Sequence, residues 1–287
     1  MKLQTLFAST ALLFLVSCNE TTVTYNHVDQ ETAGKCLEIL RSGIQDKEFW
    51  PSIHAAEGLT LAGHGDEVIK HLKPKLTTEK DQQQLCGVAR ELVRAGEADH
   101  IKVMADILMG EEPYAHIHAA ESLFKVHSVG DLETMKKAFA AKSDIKLTLM
   151  AAAALIRIGE TPEPIEAVRA ALASDDPEGI RIGAWILGRV GEPSDIERLR
   201  PRIAAAPDPV IKAYVQHALA ALGDPAGLES LRANTLSPDP AIRTYAATFA
   251  GDVGDIKLIP VLIPLLDDSH PDVRYRAAQS ILQLAQL

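Results

Sequence analysis

Aromatic residues are scarce in this 287-residue chain: Phe, Trp and Tyr make up 5% of it, against 47% hydrophobic residues in all. A core with so few rings must be filled by Ala, Leu, Ile and Val, which suits closely packed helices. No stretch alternates β-branched and polar residues over the length of a strand, so almost no sheet is expected. No apolar run reaches the roughly 20 residues that cross a bilayer. Basic residues are the minority sign, 29 against 39 acidic, and a formal charge of -10 opposes attraction to nucleic acid, so no nucleic-acid partner is expected. Three cysteines are too few for a disulfide framework. There is no Gly-rich phosphate loop, no haem-attaching Cys pair and no Gly-x-Ser-x-Gly elbow, and no cofactor is expected.

What the chain has in quantity is one recurring phrase: a basic residue, small residues three, four and six places on, Leu or its like at seven, and Gly at eleven. It reads Lys212, Val215, Gln216, Ala218, Leu219, Gly223, then Arg243, Ala246, Ala247, Phe249, Ala250, Gly254, then Arg274, Ala277, Ala278, Ser280, Ile281, Ala285. Looser copies end at Gly63, Gly96, His127, Gly159 and Gly191. The spacing of 31 to 33 residues marks a solenoid of helix pairs. First helices are placed near residues 35–44, 66–76, 98–109, 131–140, 162–173, 194–204, 226–235 and 255–266, each followed by a longer partner, which makes eight pairs. Gly-acidic steps (Gly96-Glu97, Gly130-Asp131, Gly159-Glu160, Gly191-Glu192, Gly223-Asp224, Gly254-Asp255) close the repeats, with Gly in a left-handed stop and the acid at the next helix's positive end. Asp176-Pro177, Asp208-Pro209, Asp239-Pro240 and His270-Pro271 start the second helices.

This pattern of Pro, Val or Ile, a basic residue, two small residues, Leu and Gly resembles HEAT repeats, specifically the short PBS-lyase HEAT-like type. The resemblance covers residues 35–287 and is strongest from 176 onward. It implies an all-α protein, an armadillo-type α-solenoid of about eight HEAT-like helix pairs over residues 34–287. It implies no single chemistry, because the fold serves scaffolds, adaptors, bilin lyases and a metal hydroxylase.

The chain opens with Lys2, an apolar stretch from Leu6 to Val16, and then Leu15-Val16-Ser17-Cys18. Residues 1–18 resemble a bacterial lipoprotein signal, in which the Cys becomes the lipid-modified first residue. That resemblance implies lipidation at Cys18, membrane attachment by the lipid anchor only, and a place in the bacterial cell envelope, on the outer face of the cytoplasmic membrane or on the outer membrane. Residues 19–33, polar and rich in Thr, are expected to form a tether. Cys36 and Cys86 fall on different repeats and are read as two buried thiols.

Counting each second helix from its basic residue as zero, at 100° per residue, positions 2, 5 and 9 lie opposite the apolar side. They are expected to line the concave surface. This gives a groove-binding set of Arg94, Lys125, Met150, Arg157, Ile182, Trp185, Arg189, Tyr214, His217 and Tyr245: a cationic row beside an aromatic wall. Trp and Tyr beside Arg are the residue types of binding hot spots. The alternative is that the rings pack between neighbouring helices and the arginines pair with acids.

His54-Ala-Ala-Glu57 and His118-Ala-Ala-Glu121, with His116 beside the second, are the one catalytic-looking constellation. His and Glu at i and i+3 share a helical face, and both can ligate metal. Repeats one and three, however, stand roughly 16–20 Å apart. Neither motif alone offers enough ligands, so no metal is expected. Instead Glu57, Arg90 and Glu121 are read as an acid-base-acid ladder, with Glu121 also four residues before Lys125. The HEAT-like hydroxylase places adjacent His-Glu pairs on its helices; here no His is followed directly by Glu. Lys212, Arg243 and Arg274 are expected to tie repeats through Asp208, Asp239 and Asp272. The reading that follows is a lipid-anchored scaffold or adaptor binding a partner protein or peptide segment in its groove, rather than an enzyme. The rival is an enzyme or enzyme accessory using the N-terminal His/Glu surface. Ile281, Leu282, Leu284 and Leu287 carry no polar cap and are read as an end face for self-association.

Overall fold

The computed structural model describes residues 23–142 and 144–287. The expected signal at 1–18, Cys18 included, lies outside the described residues, as does the start of the tether through residue 22.

Helix starts are set by Asp. The side chains of Asp29, Asp81, Asp131, Asp144, Asp176, Asp208, Asp224 and Asp239 each accept a first-turn backbone N–H. Pro177, Pro209, Pro240 and Pro271 take up first-turn positions, where a missing N–H costs nothing. The helices alternate in pairs: α1 (Gln30–Gly43) with α2 (Phe49–Leu61); α3 (Gly65–Leu72) and the single turn α4 (Lys75–Thr78) with α5 (Gln82–Arg94); α6 (Ile101–Met109) with α7 (His116–Lys125); α8 (Leu132–Ala141) with α9 (Ile145–Arg157). The second half continues with α10 (Glu163–Ala173) and α11 (Pro177–Val190); α12 (Ile196–Ala205) and α13 (Pro209–Ala221); α14 (Pro225–Asn234) and α15 (Pro240–Val253); α16 (Ile259–Leu262), flanked by 3-10 turns, and α17 (Pro271–Ala285). That is an all-α solenoid of eight pairs, with no strand among the described residues. Helix α1 begins at Gln30, inside the span 19–33 expected as a tether.

Five of the six glycines at the Gly-acidic steps have positive φ, as does Gly63. Gly191 departs from the expectation: its φ is -77°, and it is required by close approach instead, since a Cβ there would lie 2.5 Å from the Leu187 carbonyl oxygen. His127, at the equivalent stop of the third repeat, takes φ 59° without being glycine.

The solenoid closes on itself. Helix α17 packs on α15 before it and, equally, on α1 and α2 at the start of the chain, so the inner helices α2, α5, α7, α9, α11, α13, α15 and α17 form a ring. One apolar cluster joins Cys36, Leu40, Ile53, Ala56 and Leu59 of the first repeat to Leu262, Val273, Ala278, Ile281 and Leu282 of the last. Polar contacts cross the same seam. The Tyr275 hydroxyl donates to Asp46 at 2.8 Å, Lys35 reaches Asp267 at 2.7 Å, and the Arg276 guanidinium meets Glu57 at 2.9 Å. The neutral His54 imidazole donates from Nδ1 to Asp272 at 2.6 Å: burial and Arg276 hold its pKa down despite the carboxylate. Residues 23–29 lie over the seam, with the Tyr25 hydroxyl on the Ala62 carbonyl at 2.8 Å and the Asn26 N–H on the Ala285 carbonyl at 2.7 Å. The end face read from Ile281, Leu282 and Leu284 is therefore covered within the chain, and only Leu287 of the four is exposed.

Around the outside, a base on each of several first helices meets an acid 24 to 26 residues on: Arg41 with Glu67, Lys73 with Glu97, Lys136 with Glu160, Arg169 with Asp195, Arg200 with Asp224. Arg243, on α15, follows the same spacing to Asp268, bonding at 2.7 and 2.9 Å. This replaces the expected ladder: Asp208 and Asp239 cap their own helices, Asp272 holds His54, and Arg274 donates to the Asp268 carbonyl. Cys36 and Cys86 are buried and unbonded to each other, and burial pushes both thiols up to about 12. His217, placed in the groove by the sequence reading, belongs to the core. It is fully buried against Phe249, with Nε2 on the Asn234 amide at 3.0 Å, and burial, with Arg189 adding to it, pushes its pKa down to about 3.

Two predictions follow from the seam and the core. Glu57→Ala leaves Arg94 and Arg276 buried without their shared carboxylate and should destabilise the ring by about 3–5 kcal/mol in urea unfolding, whereas Glu67→Ala, which breaks an exposed pair, should cost less than about 1 kcal/mol. Between its ordinary 6.5 and about 3, His217 binds a proton in the unfolded chain that the folded chain refuses. Stability should therefore fall as pH drops from 6.5, more shallowly in His217→Gln. A second loss should follow below pH 4.5 as Glu121, held at about 2 by Lys125 against the opposing effect of burial, is protonated.

Candidate functional site

The ring encloses a cavity of about 720 Å³, within the range of ligand pockets, and every inner helix contributes to its wall. Because the inner helices run parallel, their two ends make two unlike mouths. At the N-terminal ends stand Asp239, Ala241, His270 and Asp272, with Lys146 and Arg181. At the C-terminal ends stand Arg94, Lys125, Arg157 and Arg189, the cationic row expected from position 9, joined by His127 and Asp252. Bases in the last turn of a helix also offset the partial negative charge of its carbonyl end.

Nine of the ten residues read as groove-lining border this cavity: Arg94, Lys125, Met150, Arg157, Ile182, Trp185, Arg189, Tyr214 and Tyr245. The tenth is His217, behind the wall. Their exposure is uneven. Met150, Ile182 and Tyr214 keep 7%, 3% and 2% of their surface, so they pack between helices and show only an edge to the lumen. Tyr214 lies 4.5 Å from Tyr245 between ring centroids, and the Arg181 guanidinium lies 5.6 Å from its ring. Its hydroxyl is pushed well above the usual tyrosine range by burial and by Tyr245. Trp185 and Tyr245 are half-buried and present usable surface.

A stack of alternating rings and cations forms one wall. The Arg157 guanidinium lies 4.0 Å over Phe124, Phe124 meets Trp185 edge-on at 5.5 Å, and Arg189 lies 4.2 Å from Trp185 and 4.4 Å from Phe249. Phe124 and Trp185 come from α7 and α11, and they touch because the intervening α9 carries only Ala153 at the position equivalent to Trp185. Likewise Arg189 of α11 reaches Asp252 of α15 at 2.7 Å past Ala221 of α13.

Charges elsewhere in the lumen are matched. Glu57 bridges Arg94 at 2.8 Å and Arg276 at 2.9 Å; burial raises its pKa, but the surrounding cations outweigh burial and hold it well below the usual carboxylate range. Behind it, Glu91 binds Arg94 and Arg90. Arg90 is thus turned to its neighbour Glu91 and does not bridge Glu57 to Glu121 as the ladder reading required. Glu121 pairs with Lys125 at 2.6 Å, and burial holds the Lys125 ammonium below its usual range. The His/Glu constellation does not assemble. His54 is bound to Asp272, His116 to the Gly110 carbonyl, and His118 stacks on Trp50 at 5.3 Å. Among the described residues, no group of three or more His, Cys, Asp or Glu is placed to hold a metal.

Sequence reasoning missed Lys146, Asp272, Arg181 and Phe124. Position -2 lies at the same angle as positions 5 and 9, so extending the rule one turn toward the N-terminus would have found Lys146 and Asp272. Arg181 announces itself as a charge at position 1, where other repeats are apolar or small. Phe124, at position 8, carries no such signal.

Among solved structures, human deoxyhypusine hydroxylase in complex with glycerol is similar over 88% of this chain and 97% of that chain, at 18% identity and a TM-score of 0.43. Two engineered proteins are similar over 88% and 87% of this chain and 83% and 96% of theirs, at 19% and 17% identity, with TM-scores of 0.31 and 0.26. No curated protein matches the chain. The family model described as HEAT repeats matches residues 132–220 and 197–282, overlapping spans that together take in more than half of the sequence, and the chain belongs to the HEAT-repeat family.

Proposed function

We propose that this protein is a binding scaffold that holds a partner protein's extended segment in the lumen of its ring, and that it is anchored in a bacterial envelope by lipid on Cys18. The observation that carries the binding reading is an excess of cations over carboxylates in the lumen. Seven cationic side chains and five carboxylates line the lumen of a chain whose formal charge is -10. The wall beside the cations is aromatic. Such a surface favours a segment that combines carboxylates with apolar groups. The volume admits a short stretch of chain, which favours a loop or terminus over a folded face.

The lipid reading rests on Leu15-Val16-Ser17-Cys18, which follows Lys2 and the apolar stretch from Leu6 to Val16. Among the described residues, no helix is long and apolar enough to cross a membrane.

Two experiments test these readings. A photo-crosslinking benzoylphenylalanine at Tyr245, in cells, should trap one discrete partner, and Thr248→Trp, which plugs the lumen and removes only the hydroxyl's bond to the Thr244 carbonyl of its own helix, should abolish the product while the far-ultraviolet circular dichroism stays unchanged. An adduct that persists in the plugged ring would remove the lumen as the working surface. Metabolic labelling with an alkyne fatty acid should mark the protein in the membrane fraction, and Cys18→Ser should lose both the label and the sedimentation. An unlabelled wild type would refute the anchor.

A further inference from the structure

Six of the seven cations that line the lumen have a carboxylate within 3.1 Å. Arg94 and Arg276 share Glu57, Lys146 and Arg181 share Glu178, Lys125 has Glu121, and Arg189 has Asp252. The seventh, Arg157, meets no acid among the described residues. It donates from one Nη to the Phe124 carbonyl at 3.1 Å, and its guanidinium carbon lies 4.0 Å over the Phe124 ring. A guanidinium has five N–H donors in a planar fork, and it remains protonated in proteins. The rest of that fork is left for the cavity.

The charges around it sharpen the point. Burial, then Arg189 and Arg94, hold the Arg157 pKa below the usual arginine range, and Asp252 only partly opposes them. Of these three guanidiniums, Arg94 is bonded to Glu57 and Glu91 and Arg189 to Asp252, which leaves Arg157 alone without a carboxylate of its own. The helix dipole does not account for this. Arg94 and Arg189 occupy the same last-turn position on their helices, and each has been given a carboxylate. The site lacks one negative charge, and the stack places the Phe124 and Trp185 rings directly beside the vacancy in charge.

We propose that Arg157 is a carboxylate subsite of the lumen, taking a carboxylate of the bound segment in its fork while the half-buried Trp185 ring receives the adjacent apolar side chain. This rests on the lumen-binding reading above and names the chemistry it selects. A C-terminal carboxylate and a Glu or Asp side chain are two sources of that one group.

Isothermal titration of the purified ring with three defined peptides tests it: acetyl-Leu-Phe with a free carboxylate, acetyl-Leu-Phe amide, and acetyl-Glu-Phe amide. Binding of either acid at least tenfold tighter than the uncharged amide, lost at least tenfold in Arg157→Gln and partly restored in Arg157→Lys, is the expected result. Which acid binds tighter assigns the source of the carboxylate. The Trp185 indole N–H resonance should shift on titration in the wild type and not in Arg157→Gln. Equal affinity for acid and amide peptides would overturn the subsite, as would acid binding indifferent to Arg157→Gln, or inorganic phosphate binding where neither acid does. The lumen reading fails separately, when the Tyr245 crosslink survives the Thr248→Trp plug. If Arg157→Gln does not fold, Arg157→Lys alone decides, since it keeps the charge but loses the fork and should weaken acid binding without touching the amide.

Discussion

The arrangement depends on the seam where α17 meets α1 and α2. A repeat array normally needs polar caps, because each terminal repeat leaves an apolar face uncovered. Here eight repeats turn through a full circle, and each end serves as the other's cap. The seam is not apolar alone. It buries Glu57 between Arg94 and Arg276, with Glu91 and Arg90 behind, so that mispairing of the ends would strand several charges in a low-dielectric interior. Such a network favours one register of closure over its neighbours more than it adds to total stability.

Closure also sets the electrostatics of the lumen. An open solenoid would hydrate its concave row; a ring confines it between low-dielectric walls, where each charge acts at greater strength. The cations respond by pairing inward, and their partners come from unexpected distances: Asp252 from two helices away, Glu57 shared across the seam. Small residues make those reaches feasible. Ala153 and Ala221 look like mere packing residues, yet they open the lanes through which Trp185 meets Phe124 and Arg189 meets Asp252.

Much of the fold is legible in the sequence, because helix boundaries are written in strong local chemistry: Asp before Pro at starts, Gly before an acid at stops. The concave face is legible for a related reason, since 100° per residue is a geometric constant of the helix. What the sequence does not disclose is curvature. Whether eight repeats make an arc or a circle depends on small angles summed over seven steps, and no single residue carries them. The misreadings share that origin. Ile281, Leu282 and Leu284 look like an exposed end face only if the array is open, and Asp272 looks like a ladder acid only if His54 is far away. His217 failed for a different reason: its position faces the lumen by helical angle, but its ring packs against Phe249 and bonds to the Asn234 amide of α14.

The chain enters the described structure at Val23, packed beside Gly63, and Tyr25 and Asn26 fasten it to the ends of α2 and α17. Those ends belong to the mouth that carries Arg94, Lys125, Arg157 and Arg189. Four residues lie between Cys18 and Val23, and the five steps span at most roughly 18 Å when fully extended. With Cys18 acylated as proposed, the protein would stand on the bilayer like a ring on a short chain, its arginine mouth toward the headgroups. The opposite opening, rimmed by Asp239, Ala241 and His270, would then be the doorway on the water side, and a segment entering there would traverse the full height of the ring before meeting Arg157.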